Sequence, residues 1–207
     1  VIVLVHASPT TLRAHRHPAL GVLSSPRRFY RDLDGWAWAA DNDAYSDWNA
    51  DRYLRMLDGI AAIDGCLFVT APDVVGDWPT TLANLETWQP TIEAHQLPIA
   101  YVLQDGQPAG RMPWEATSAV FVGGSDEWKM GPEARELVAE ANYRGLWTHM
   151  GRVNGHQRLR YAKAIGCDSF DGTSLSWYRD RWLDEFVDHA ASEHVQLLLE
   201  AKEWVCR

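Results

Sequence analysis

Cysteine is scarce in this chain, with three in 207 residues at positions 66, 167 and 206. Their scatter excludes a disulfide framework, and no Cys-x-Cys or Cys-x-x-Cys spacing is present to hold a structural zinc. Cys66 and Cys167 stand inside apolar, strand-like runs, so buried free thiols in a reducing cytoplasm are expected. Long apolar runs are missing as well. None approaches the roughly 20 residues of a membrane span, and no signal-peptide pattern is seen. The chain starts at Val1 rather than at a methionine, which leaves room for a leader upstream. No internal repeat, low-complexity tract or linker interrupts it, so one domain over residues 1–207 is expected. No Gly-x-Gly-x-x-Gly turn follows the first apolar run, and a dinucleotide-binding fold has no direct support. Positive charge is in deficit, 19 Lys and Arg against 28 Asp and Glu for a net −9. That balance argues against a protein that coats nucleic acid nonspecifically.

What is present is an ordinary globular composition, 46% hydrophobic and 23% charged, sufficient for a core. Short apolar runs recur at Val1–Val5, Leu20–Leu23, Trp36–Ala40, Cys66–Val69, Ile99–Leu103, Val120–Val122, Leu146–Met150 and 166–171. Helical spacing of apolar residues separates several of them, at 50–63, 78–95, 132–142 and 156–165, with 174–191 and 195–204 closing the chain. Eight strands alternating with helices predict a mainly parallel sheet, an α/β fold of the compact TIM-barrel-like (β/α)8 kind. At 207 residues the chain sits at the short end for that barrel. A doubly wound sheet is the structural competitor.

In parallel α/β proteins the C-terminal ends of the strands face the active site, because the connecting loops there form the crevice. Polar residues stand at several of those ends: Asp41, Asp73, Gln104, Gly123-Gly124 and Asp171. Each has a plain reading too. Asp171 before Gly172 is a turn or cap, Asp73 after Pro72 a turn, Gln104 a loop former, Gly123-Gly124 a turn. Tyr45 and Met150 read equally as core, and His149 reads as a core histidine with no catalytic role. Arginines crowd two stretches, Arg13, Arg16, Arg27, Arg28 and Arg31 in the first and Arg152, Arg158 and Arg160 with Lys163 in the second. These are solvated faces or a phosphate-binding rim on an acidic body. The eleven tryptophans are helix-packing residues or stacking platforms for bases and sugars.

Taken in order, the strand ends resemble the tRNA-guanine transglycosylase superfamily, and within it the short phage and bacterial relatives that place 7-deazaguanines in DNA. Asp41-Asn42-Asp43-Ala44-Tyr45 is similar to the family's Asp-Ser-Gly-Gly-Phe/Tyr element. Asp73 matches its base-reading aspartate, and Leu103-Gln104-Asp105-Gly106 its Val-Gln-Gly element. Gly123-Gly124 resembles the pair that closes over the base. Met150-Gly151-Arg152-Val153 resembles Met-Gly-Val-Gly, and Gly166-Cys167-Asp168-Ser169-Phe170-Asp171 the nucleophile segment Gly-x-Asp-x-Phe-Asp. Together these motifs span about Trp36 to Thr173. The family's zinc-binding cysteines and histidine have no counterpart, Asp43 and Ala44 stand where it has two glycines, and Gly172-Thr173-Ser174 replaces its Pro-Thr-Arg.

The resemblance implies an enzyme that exchanges guanine in DNA for a 7-deazaguanine such as 7-cyano-7-deazaguanine. Asp171 is then the nucleophile and Asp41 the general acid/base. Asp73, Gln104, Gly123, Gly124, Tyr45 and Met150 bind the base, and Arg28 and Arg152 hold phosphates. The chemistry suits those residue types. A carboxylate below the anomeric carbon stabilises an oxocarbenium-like centre and can trap it, while a second carboxylate moves the proton of the leaving base. Base flipping or a single-stranded substrate is implied. No metal and no cofactor is assigned. The expected partners are DNA, a free 7-deazaguanine base, and a second copy or accessory subunit; a membrane is not among them. Three alternatives stay open: the same exchange on tRNA, a two-carboxylate glycoside hydrolase, and a noncatalytic nucleic-acid-binding barrel.

Overall fold

The computed structural model describes residues 1–15, 17–46, 48–173 and 179–192. Arg16, the first part of the expected 174–191 helix, the expected 195–204 helix and Cys206 lie outside the described residues. Eight strands form one closed barrel in chain order: β1 Ile2–Val5, β2 Leu20–Ser24, β3 Trp38–Ala40, β4 Cys66–Thr70, β5 Ile99–Leu103, β6 Ala119–Val122, β7 Trp147–Met150 and β8 Ser169–Asp171. Every neighbouring pair is parallel, and β8 closes on β1 with Val3 opposite Phe170 and Leu4 opposite Asp171. Closure excludes the doubly wound alternative, because that fold leaves two open sheet edges.

The helices are α1 Pro9–Leu12, α2 Ala50–Ile60, α3 Trp78–Ala94, α4 Asp126–Lys129, α5 Pro132–Tyr143, α6 His156–Ala164 and α7 Arg179–Ala191. Starts are set locally. The Asn49 side chain accepts from Arg52 N–H at 2.8 Å and Asp77 from Thr80 N–H at 3.0 Å, which satisfies donors that the first turn leaves over. On α2 the buried Tyr53, Met56, Leu57 and Ile60 recur at i, i+3, i+4 and i+7, one stripe against the barrel. The β2–β3 connection carries no helix and β5–β6 only two 3₁₀ turns, Ala109–Arg111 and Trp114–Ala116. These bare connections let eight strands close in so short a chain.

Barrel strands are covered on both faces, which is why they read as continuous apolar runs. Two clusters divide the core. Leu4, Leu23, Ala39, Phe68, Ala100 and Ala119 pack together without any helical residue, so they fill the barrel interior. Their strand neighbours Val3, Val22, Trp38, Val69, Tyr101 and Val120 belong to the cluster shared with the helices. This period-two alternation decides which residues at the strand ends point into the mouth of the barrel. Among the described residues no helix is long and apolar enough to cross a membrane.

Candidate active site

Eight of the ten expected site residues meet in one cavity at the C-terminal mouth. Asp41, Tyr45, Asp73, Gln104, Gly123, Gly124, Arg152 and Asp171 all line it. Met150 does not. It is fully buried in the cluster shared with the helices, because on β7 His149 points inward and Met150 therefore outward. The expectation of Met150 as a base clamp is corrected on that ground. Arg28 does not line the cavity either. It is exposed on the turn after β2, where its backbone pairs with Ser25 in both directions at 2.9 and 3.0 Å.

Asp171 ends β8 and is almost fully buried. Burial alone would raise its carboxyl. A hydrogen bond from His149 Nε2 at 3.2 Å, the pull of His149 and His6, and the Arg152 backbone N–H at 3.1 Å outweigh burial and hold it below the usual carboxylate range. The His149 ring is oriented in turn. Trp147 Nε1, which can only donate, gives its proton to Ser169 Oγ at 2.8 Å, and the same oxygen lies 2.8 Å from His149 Nδ1. A carboxylate oxygen only accepts, so Nε2 is the donor toward Asp171. The Trp147–Ser169 pair holds the other edge of the ring and so orients that donor.

Asp41 follows β3 and faces the same cavity with its pKa moved the other way. Burial raises its pKa, the Asp171 charge raises it further, and His6 and the Asn42 N–H at 2.8 Å only partly oppose this. One cavity therefore holds two carboxyls whose surroundings push their pKa values apart. That arrangement is the one general acid/nucleophile chemistry requires. Asp43 is turned away. Its φ is +60°, and its carboxylate accepts the Arg27 N–H at 3.0 Å. The left-handed position that glycine would fill is thus occupied by an aspartate, a type that tolerates it.

Asp73 is the third carboxyl. Burial pushes it up to about 6, against hydrogen bonds from Asn42 Nδ2 at 2.9 Å and Gln104 Nε2 at 2.7 Å. Gln104 Oε1 accepts the Gly76 N–H at 2.9 Å, so its amide cannot flip without losing a partner. One Nε2 hydrogen of Gln104 and the remaining lone pairs of Asp73 are left to face a ligand. Gly123 makes room for this set, since a Cβ there would sit 2.8 Å from Leu103 O and 3.3 Å from Gln104 Nε2. Gly124 has φ +69° and would meet Asp105 at 2.6 Å.

Arg152 and Tyr45 stand at the rim. The guanidinium lies 4.9 Å from the Tyr45 ring centroid and donates to Gly124 O at 2.6 Å. Of the other basic residues expected there, Arg158 is bound to Asp126 and to Arg152 O, and Lys163 Nζ donates to the carbonyls of His189 and Ser192 at 2.7 Å. Lys163 therefore secures the end of α7 and is not part of a phosphate rim.

Solved structures share this fold. A native KDPGal structure is 14% identical at TM-score 0.52, over 98% of this chain and 95% of that one. The Amycolatopsis orientalis BexX/CysO complex contains a chain 13% identical at TM-score 0.53, over 97% of this chain and 81% of that one. No family model matches the chain, and no curated protein does. At such identity the likeness concerns the barrel alone, and chemistry has to be argued from the cavity.

Three residues around that cavity were given no role from the sequence, His6, Asn42 and Lys129, and a fourth, His149, was read as a core histidine although it lies against Asp171. Lys129 is fully buried, lines the cavity and donates to Gly151 O at 3.1 Å; burial and the Arg152 charge lower it to about 8. Parity was the available signal for His149, since the residue before an outward Met150 must face inward. His6, two residues after the inward Leu4, follows the same parity, whereas Asn42 and Lys129 lie on a loop and a short helix where no periodicity applies.

Proposed function

We propose that the chain is a base-exchange transglycosylase, replacing guanine in DNA with a 7-deazaguanine through a covalent glycosyl–Asp171 intermediate. The observation that carries this reading is the pair Asp41 and Asp171, facing one cavity with their pKa values pushed in opposite directions, beside an Asp73–Gln104 edge of fixed polarity. In the first half-reaction Asp171 attacks the anomeric carbon as the bond to guanine breaks. The bonding electrons leave with the purine, which takes the proton of Asp41. In the second half the incoming base gives its ring N–H proton to Asp41, and that nitrogen displaces the Asp171 carboxylate. Asp73 accepts from the N1–H and exocyclic amine of a guanine-like edge, Gln104 donates to its carbonyl oxygen, and Tyr45 covers the ring. Motif order supports the family, and the likeness to its short relatives that act on DNA favours DNA over tRNA.

Among the described residues no tryptophan lines the cavity, which weighs against a carbohydrate cleft. A noncatalytic barrel gives no reason to keep two buried carboxyls apart in pKa. The test is incubation with guanine-containing DNA, and separately tRNA, plus a labelled 7-deazaguanine, followed by nucleoside mass analysis. Label is expected in DNA and absent with Asp171→Asn, which keeps shape but removes the attacking charge. Label in tRNA alone would move the substrate. Label in neither, or unchanged exchange in Asp171→Asn, would overturn the mechanism.

A further inference from the structure

We infer that His156, Glu185 and His189 form a divalent transition-metal site of the zinc type, joining α6 to α7 outside the catalytic cavity. One ligand atom from each of the three lies within 4.8 Å of the others. His156 Nε2 is 3.5 Å from Glu185 Oε1. Ligands about 2.0–2.1 Å from a tetrahedral zinc stand about 3.4 Å apart, so this pair is already spaced as one edge of the tetrahedron. Glu185 and His189 are four residues apart on α7, which puts both side chains on one face of the helix.

The histidines are oriented for ligation. His189 Nδ1 lies 2.9 Å from the Glu185 backbone carbonyl, which can only accept, so Nδ1 carries the proton and Nε2 keeps its lone pair. The His156 ring packs on Phe186 at 4.8 Å and faces His189 at 5.0 Å between centroids. The His189 carbonyl is held by Lys163 Nζ at 2.7 Å, which fixes α7 against α6 before any ion arrives. Two imidazoles with one carboxylate favour zinc, nickel or copper over magnesium or calcium, which take oxygen donors. Three protein ligands leave the fourth position to water. Cysteine spacing excludes only thiolate sites and says nothing about this one. His156 opens α6 directly after the Arg152–Asn154 turn, so an ion here would tie the segment that presents the Arg152 N–H to the last described helix.

The test uses the whole protein, stripped with a chelator and titrated with Zn²⁺ alone. One equivalent should bind, Co²⁺ in its place should give visible absorption of four-coordinate type, and the melting temperature should rise with zinc concentration. Loss of an outer-shell partner already costs about 10–100-fold in metal affinity. His189→Gln and Glu185→Gln, both exposed and without a core role, should therefore each weaken zinc by more than about tenfold. Asp188→Asn on the same helix should leave affinity unchanged. Absence of saturable binding would overturn the inference, as would equal affinity in wild type and His189→Gln. None of these readouts depends on base exchange, so the site and the proposed reaction stand or fall separately.

Discussion

Replacing His149 by phenylalanine tests whether the Trp147–Ser169–His149 relay serves Asp171. The ring it inserts fills the same place between Phe68 and Phe121, whose centroids lie 5.1 and 4.6 Å from the imidazole. Packing is thus conserved and two hydrogen bonds are lost. A hydrogen bond to a charged group contributes about 1.5–3 kcal/mol, and one pH unit of pKa corresponds to about 1.4 kcal/mol. Loss of the Nε2–H donor should therefore raise the Asp171 pKa. The Arg152 N–H remains, so exchange should fall about 10- to 100-fold rather than vanish. Stability should fall by about 1–3 kcal/mol, because the buried Ser169 hydroxyl loses its hydrogen-bond partner on the ring. The sign with pH follows. Asp171 sits below its unfolded value of about 3.9, so it stabilises the fold above that pH, and the gain is lost as pH falls through the folded value. His149→Phe should shrink that acid-side loss. Carboxyl ¹³C titration reads the pKa directly, and urea unfolding across pH reads the linkage. An Asp171 pKa unchanged in His149→Phe would refute the relay, whatever the variant does to stability.

Asp41→Asn should reduce exchange about 10²–10⁴-fold, since the leaving purine goes without its proton. Asp43→Asn should stay near wild type by the same assay, and the reverse order would mean the wrong carboxyl was chosen. Asp73, raised to about 6, binds its proton more tightly when folded. Its contribution to stability should fall between about pH 4 and 6, while affinity for a guanine-like base rises above 6. Base titrations in wild type and Asp73→Asn check both, and an acid limb that survives in Asp73→Asn would exclude it. Arg152→Ala and Arg28→Ala should each weaken binding of a guanine-containing oligonucleotide and lower its log–log salt slope by about one. Selectivity among deazapurines should not change, because phosphate contacts position and the pocket specifies. Salt slopes equal to wild type would remove that arginine from the rim.

The barrel was legible because strands covered on both faces write themselves as short apolar runs at regular intervals. All eight runs became strands, the first and last paired, and every described helix longer than one turn coincides with a stretch of helical spacing. The cavity was legible through the polar residues that end those runs, since a parallel barrel aims all its strand ends at one mouth. What sequence reasoning missed has a common cause. Met150 and His149 are adjacent, and only knowledge of which face each strand shows to the interior separates core from site. Lys129 and Asn42 owe their places to α4 and to the turn after β3, whose conformations no periodicity dictates. Lys163 looked like part of a basic rim until the carbonyl ends of α7 were seen to claim it.

Arg152 holds a left-handed backbone, φ +61°, that an ordinary side chain adopts at a cost of about 1–2 kcal/mol. Its main chain serves Asp171 while its side chain spans Tyr45 and Gly124, so two duties meet at one codon without depending on each other. Glycine at this position would keep the N–H in place, release the backbone strain and delete only the guanidinium. Mutational drift at residue 152 can therefore retune how the rim grips a ligand while the backbone support of Asp171 is inherited unchanged. A library varied at that single position would sample new ligand contacts around a cavity that does not have to be rebuilt each time.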